Sequence, residues 1–321
     1  MRYILPREPD VASSLSDDCQ IEVEEGEPMS ENPVQDLISH LQLEKLEVNR
    51  FRGESRDVGQ KSVFGGQVLA QALLAAGSTV EGRPAHSLHG YFLLPGDPGL
   101  PIVYDVELLR DGRSFTTRRV VGMQNGRAIF NMSASFHVQE EGIDHQIDMP
   151  EAPAPWKLAS AEELGRQAAE KAPPKAREFL TMRRPIEFRP VDPTDPLHPE
   201  SRPPHRRTWL RTAGQLPDEP GLHQAVIAYA SDFALLGTAL LPHGLSFLQS
   251  GVQAASLDHA MWFHRPFRAD EWLLYDMDSP SACGARGFAR GSLFSSDGRL
   301  VASVAQEGLL RQRKKKKSQD I

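Results

Sequence analysis

Apolar and polar positions along the chain follow two templates, and each template is used twice. VFGGQVLAQALLAA (63 to 76) and AYASDFALLGTALL (228 to 241) are apolar on most faces. The first carries Val68, Leu69, Leu73 and Leu74, the second Phe233, Leu235, Leu236 and Leu240. Helices with so little polar surface are predicted to be buried. Behind each run the spacing changes to alternation, which predicts strands near 86–94, 102–111, 114–123 and 128–138, and again near 251–264, 272–280, 284–295 and 299–311. Gly, Asp and Asn turns separate them.

The two sets are copies of one another. Pro95 of HSLHGYFLLPGD laid on Pro266 of LDHAMWFHRPFR, a shift of 171, sets Phe92 on Phe263 and Tyr91 on Trp262. The same shift sets Tyr104-Asp105 on Tyr275-Asp276. One more residue of shift matches Asn125-Gly126-Arg127 to Asp297-Gly298-Arg299, both read as hairpin turns. One helix wrapped by an antiparallel sheet, written twice, predicts an α+β fold of two units side by side, over 33–140 and 223–311. Residues 141–222, rich in Pro and charge, read as a long connection with one helix near 159–172, either a surface loop or the frame of a cleft.

Composition narrows the function classes. The chain has 321 residues, 40% of them hydrophobic, enough for one large or two ordinary domains. The net charge of −7 is distorted by the ends: residues 1–32 hold nine acidic and two basic side chains, and 311–321 six basic and one acidic. What remains carries 28 basic against 33 acidic residues, with no nucleic-acid footprint. Residues 1–32 read as a disordered acidic extension and 312–321 as a disordered basic tail. Cys19 and Cys283 lie too far apart in sequence to suggest a disulfide framework or a thiolate metal site. Without an 18-residue apolar stretch or a signal-peptide start, the expectation is a cytoplasmic protein with no membrane insertion.

Candidate chemistry begins with Ser256-Leu257-Asp258-His259, which spells the residue types of a hydrolytic triad. On a regular strand Ser256 and His259 would sit roughly 10 Å apart on opposite faces, unable to share a hydrogen bond. There is no G-x-S-x-G elbow, no H-E-x-x-H, no phosphate-binding glycine loop, and His86 and His89 are expected on opposite faces of a strand. Comparison of the repeats is more informative. Asp232 stands where the first copy has Gly66, Gln306 falls on Ala134, and Ser256 is flanked by Ala255 and Leu257. Singly, Asp232 reads as the N-cap of its helix, and Gln306 as an ordinary strand residue. Jointly, a carboxylate, a hydroxyl and an amide on three elements of one repeat could converge on a water molecule.

The motifs FRGESRDVG, VFGGQVLAQAL, YFLLPGD and YDVELLRDGRSF in the first half, and YASDFALLGTALLPHG, LDHAMWFHRPF, EWLLYDMDSPSA, ARGFARG and DGRLVASVAQEGLLR in the second, resemble those of the acyl-CoA thioesterase II family. The resemblance covers residues 33 to 311 and implies two hot-dog repeats in one chain. It implies hydrolysis of medium- to long-chain fatty acyl-CoA to free fatty acid and CoA, with no metal and no cofactor beyond the CoA of the substrate. The family's water-holding residues fall on Asp232, Ser256 and Gln306. Serine stands where the family commonly has threonine, keeping the hydroxyl but losing the methyl group that stiffens the rotamer. On this reading Asp232 is the general base, and backbone N–H groups at Asp232 or at Gly65 and Gly66 stabilise the oxyanion. Arg286, Arg290, Arg113 and Arg118 are candidates for the CoA phosphates, against the alternative of exposed cross-strand pairs. His259 and His264 are expected to be structural. A homo-oligomer, dimer or tetramer, is the family expectation. Two rival readings remain: an acyl-thioester hydratase or dehydratase, whose His–carboxylate pair the sequence does not place, and a noncatalytic acyl-CoA-binding module.

Overall fold

The computed structural model describes residues 32–56, 62–249 and 251–312. The expected acidic extension and basic tail lie outside these residues, apart from Asn32 and Gln312. The first half comprises α1 (Pro33–Leu41), β1 (Glu44–Glu47), β2 (Arg50–Gly53), α2 (Gly65–Gly77), β3 (Ala85–Phe92), β4 (Ile102–Asp111), β5 (Phe115–Gln124) and β6 (Arg127–His137). A 3₁₀ turn (Pro155–Lys157) leads to α3 (Ala161–Ala169), α4 (Pro174–Thr181), β7 (Ile186–Pro190) and β8 (His205–Thr212). Then come α5 (Pro220–Ser231), a 3₁₀ segment (Leu236–His243), β9 (Val252–Ser256), β10 (Asp258–Phe263), β11 (Leu273–Cys283), β12 (Arg286–Ser295) and β13 (Leu300–Gln312).

The strands form one antiparallel sheet in the order β1-β2-β4-β5-β6-β3-β10-β13-β12-β11-β8-β7, with β9 paired to β13. Outward from the β3–β10 junction, each half repeats the other's order, which makes the fold two hot-dog units joined edge to edge. His89 and Ala260 are cross-strand partners at that junction. The shift of 171 that aligns the repeats also equates these two residues, so a local two-fold axis passes between them. The hairpin at Asn125-Gly126 has φ of 49° and 70°, the left-handed pair required by a tight turn matched to strand twist.

Residues Gly66–Leu73 of α2 and Leu222–Ser231 of α5 are buried without interruption. That explains why both helices lack a polar face: they pack against each other and against the sheet. Together α5 and the 3₁₀ segment span 24 residues, long and apolar enough to cross a bilayer, but 78% of the most apolar window is buried in the fold.

Three sequence expectations are corrected. The second central helix covers 220–231 rather than 228–241. Its start lay hidden because Pro220, read as part of the loop, occupies the first helical turn, where proline's missing N–H costs nothing. The connection contains not one helix but α3 and α4, together with strands β7 and β8, which extend the second half of the sheet. The segment 251–264 is two strands, interrupted at Leu257.

Candidate active site

Asp232 is the C-cap of α5, with φ −80° and ψ −15°. This reverses the N-cap expectation, because a carboxylate there faces the negative end of its own helix. The other repeat offsets that cost: α2 begins beside it, and Gly66 N–H donates to Asp232 Oδ2 at 2.9 Å. Two residues that repeat comparison set against each other as counterparts are bonded partners. The approach requires glycine, since a Cβ at Gly66 would lie 2.4 Å from the Tyr229 carbonyl oxygen, and one at Gly65 would lie 2.8 Å from Asp232 Oδ2.

Asp232 Oδ1 collects the other two candidates. Gln306 Nε2 donates to it at 2.6 Å and to Ser256 Oγ at 3.0 Å, while Ser256 Oγ donates to Oδ1 at 3.4 Å. The three residues singled out by repeat comparison therefore form one hydrogen-bonded cluster. Gln306 is buried, and its Oε1 has no hydrogen-bond partner.

His259 approaches the same oxygen without bonding to it, which sequence reading did not anticipate. On β13, Ser256 faces Gly308 and Ala260 faces Ala305, so four steps on one strand meet three on the other. This bulge resets the side-chain alternation. It brings His259 Nδ1 to 3.9 Å from Asp232 Oδ1, on the same side as Ser256. The order is nevertheless Ser–Asp–His, with the carboxylate in the middle, so the ring cannot deprotonate the serine as it would in a hydrolytic triad. The ring is wholly buried, and its Nε2 shares a 2.9 Å hydrogen bond with Ser231 Oγ. Burial lowers its pKa, against the opposing pull of Asp232 and Asp258, and keeps it neutral at neutral pH. Asp258 is engaged elsewhere, accepting from Glu307 N at 2.6 Å and pairing with His89 at 3.2 Å.

In front of the cluster lies a cavity of about 770 Å³, lined by Asp232, Ser256 and Gly65 among mostly apolar side chains. Gln306 and His259 stand behind this wall rather than in it. Of the three proposed oxyanion donors, Asp232 N–H lies at the end of α5 rather than at a helix start and turns to the Ala230 carbonyl, and Gly66 N–H is already committed to Asp232. Gly65, at the first position of α2, borders the cavity, and its N–H has no hydrogen-bond partner among the described residues.

None of the four arginines proposed for CoA lines the cavity. Arg286 pairs with Glu307 at 2.9 Å and Arg290 with Asp278 at 2.8 Å. Arg118 is buried on Asp111 and Thr79, and Arg113 is exposed beside the β4–β5 hairpin turn. Arg286 and Arg290 thus form exposed cross-strand pairs, which was the alternative reading, whereas Arg118 is buried and Arg113 has no ion pair among the described residues. The cavity's cations are instead Arg183 and Arg184, just beyond α4, whose Phe179 forms part of the same wall. Their signal was weak: a short helix-forming run after Pro173-Pro174, inside a segment read as loop. Among the described residues, no group of three potential ligands could hold a metal ion. His86 hydrogen-bonds Ser135 Oγ at 2.8 Å and His264 bonds Ser303 Oγ at 2.9 Å.

The corresponding place in the first half is closed. Ala85 and Ala134 stand at the positions the shifts equate with Ser256 and Gln306, and Gln224 seals Ala85 with hydrogen bonds of 2.7 and 3.3 Å.

Fold and site together define a double hot-dog protein with a hydrogen-bonded carboxylate–hydroxyl–amide cluster bordering a mostly apolar cavity. The family profile for acyl-CoA thioesterase matches residues 176–309, and that for the acyl-CoA thioesterase N-terminal domain matches 53–137. The chain is 43% identical to acyl-CoA thioesterase 2 of Haemophilus influenzae, over 86% of this chain and 96% of that one. It is 42% identical to acyl-coenzyme A thioesterase 8 of Homo sapiens, over 84% and 87%. The crystal structure of the acyl-CoA thioesterase II TesB2 from Mycobacterium marinum, 45% identical, superposes with a TM-score of 0.70 over 85% of this chain and 97% of that one. The chain belongs to the acyl-CoA thioesterase II family and is an acyl-CoA thioester hydrolase.

Proposed function

We propose that the protein hydrolyses medium- to long-chain fatty acyl-CoA by direct attack of water, with Asp232 as general base. The observation that carries this reading is the convergence of Gln306 and Ser256 on one oxygen of a carboxylate that borders the cavity. Asp232 takes a proton from the water as its oxygen bonds to the thioester carbon. The carbonyl oxygen becomes an oxyanion facing the Gly65 N–H at the start of α2, where the helix dipole favours negative charge. Collapse breaks the C–S bond, and the proton held by Asp232 passes to the departing CoA thiolate. Gln306 acts from behind, fixing the carboxylate and the Ser256 hydroxyl relative to each other. The acyl chain occupies the apolar cavity, whose volume is typical of small-molecule sites. Neither a metal nor a separate cofactor enters this scheme.

A hydratase needs a His–carboxylate pair that touches substrate. His259 and Asp232 are such a pair in proximity, but the ring is buried behind the carboxylate, which favours hydrolysis. The test is steady-state hydrolysis of lauroyl-CoA, following free thiol. Asp232→Asn is expected to lower kcat by about 10³-fold and Gln306→Ala by about 10²-fold, the sizes typical of a lost base and a lost polar support. A change under twofold in either variant would remove the assignment.

A further inference from the structure

We infer that Arg184 is an oxyanion-binding position inside the substrate cavity, pairing with a negatively charged group of the bound substrate; the inference rests on the acyl-CoA thioesterase reading above. Arg184 follows α4 and lines the cavity with Asp232. Its guanidinium carbon lies 4.9 Å from the Phe179 ring centroid and 5.9 Å from that of Phe233, the residue next to Asp232. Among the described residues a single hydrogen bond holds it, from Nη2 to the Phe179 carbonyl at 3.5 Å, the outer limit of such contacts.

Among the described residues, no carboxylate lies within ion-pair distance of Arg184. Arg118, also buried, has its carboxylate in Asp111, and the exposed Arg286 and Arg290 have theirs in Glu307 and Asp278. Other arginines are unpaired as well, but Arg206, the one whose pKa burial also lowers, does not border the cavity. A partly desolvated cation without a counter-charge is unfavourable in the folded state. Burial accordingly pulls the Arg184 pKa below its usual range. An apolar residue would serve better at this place if the cavity received only a hydrocarbon tail. A guanidinium instead offers five N–H donors in a fork that matches a carboxylate or phosphate, and here nearly all of them are unused. The two aromatic rings hold its position. Exposed Arg183 lines the same cavity and extends the positive potential to its mouth.

Acyl-CoA substrates can present such an oxyanion in two ways: the phosphates of CoA, or an ω-carboxylate on the acyl chain. Calorimetric binding of non-hydrolysable thioethers separates them. The probes are S-dodecyl-CoA, S-(11-carboxyundecyl)-CoA and S-dodecyl-N-acetylcysteamine, the last carrying neither anion. Arg184→Gln is expected to raise Kd by about tenfold or more for a ligand bearing the recognised anion and by less than about twofold for the neutral one. Arg184→Lys, which keeps the charge but not the fork, should retain part of that discrimination, and it provides the test if the Gln variant does not fold. A full loss with S-dodecyl-CoA, no larger when the ω-carboxylate is added, assigns the phosphate. A loss specific to the carboxylated ligand assigns the carboxylate. Equal weakening of all three ligands, or none, overturns the inference. Because thioethers report binding without turnover, a wild-type protein that binds them but hydrolyses no acyl-CoA would overturn the thioesterase reading instead.

Discussion

Asp232 closes one central helix and caps the other: it ends α5, and its Oδ2 accepts from Gly66 N–H, in the first turn of α2, at 2.9 Å. The candidate site therefore belongs to neither repeat alone. It forms where the end of α5 meets the start of α2, and one bond holds both the helix junction and the orientation of the carboxylate.

Gly66→Ala tests that junction. The new methyl group would stand 2.4 Å from the Tyr229 carbonyl and 2.6 Å from the Phe64 ring, neither of which is a flexible side-chain end. The first turn of α2 must retreat, lengthening the bond to Asp232. Thermal denaturation should show a loss of about 1–3 kcal/mol, typical of overpacking. Lauroyl-CoA hydrolysis should fall about tenfold or more in kcat, through displacement of the base. A variant with lowered stability and unchanged kcat would uncouple the helix junction from the chemistry.

Ser256 supplies a hydroxyl that receives from Gln306 and donates to Asp232. Ser256→Thr keeps that hydroxyl and adds a methyl group that restricts the rotamer, so kcat should stay within about threefold of wild type. Ser256→Ala leaves Gln306 Nε2 with only Asp232 and should lower kcat by about 10- to 100-fold, the scale of one lost transition-state hydrogen bond. If the two variants were equally impaired, bulk rather than hydrogen bonding would be limiting.

The repeated architecture was legible because its signal is local and periodic: uninterrupted burial of α2 and α5 leaves apolar runs, and strands of a one-sided sheet leave alternation. Asp232, Ser256 and Gln306 were legible because each is polar where its neighbours or its repeat counterpart are apolar. What stayed hidden depends on relations between distant segments. The bulge at Leu257 is set by pairing with β13, and without it Ser256 and His259 would point apart. The bond between Asp232 and Gly66 joins residues 166 positions apart, across an interface between repeats that no single repeat encodes. Arg184 lay in a proline-rich stretch whose role as a cavity wall follows only from where α4 packs.

His259 packs behind the carboxylate, its Nδ1 3.9 Å from Asp232 Oδ1, without touching the cavity. His259→Asn should remove the bond to Ser231 Oγ and leave space in the core, costing about 2–3 kcal/mol of stability. With lauroyl-CoA, kcat should fall about tenfold while KM stays within about twofold, the pattern of a group that orients the base rather than one that binds substrate. A rise in KM as large as the fall in kcat would place the ring against the substrate.

Arg286 and Arg290 are predicted to contribute little to substrate binding. Each is committed to an exposed carboxylate, Glu307 or Asp278, and neither borders the cavity. Arg286→Ala and Arg290→Ala should leave KM for lauroyl-CoA within about twofold and the urea-unfolding midpoint nearly unchanged, as expected for exposed pairs that water and salt screen. A KM rise confined to CoA esters and absent from N-acetylcysteamine esters would return these residues to the phosphate-binding role.

The stability of the fold should fall on mild acidification, and His40 is the group that makes this testable. Its ring is buried with Nδ1 unpartnered, and burial lowers its pKa to about 4, opposed by the hydrogen bond with Gln67 and assisted by the Arg56 charge. In the unfolded chain the ring titrates near its ordinary value of about 6.5. Between these values the unfolded state binds the extra proton, so stability is present above about pH 6.5 and is lost as pH falls towards 4. One such ring accounts for about 3 kcal/mol across that window. His86, His223, His259 and His264, also lowered chiefly by burial, act with the same sign. The depressed carboxylates Asp270 and Asp297 lose their contribution only at lower pH, as they are protonated. Urea denaturation at several pH values from about 4.5 to 7 should therefore give a steep rise of unfolding free energy with pH for wild type. His40→Asn should lower the whole curve through lost packing and also flatten its slope. A slope unchanged by the substitution would mean that His40 does not carry the titration.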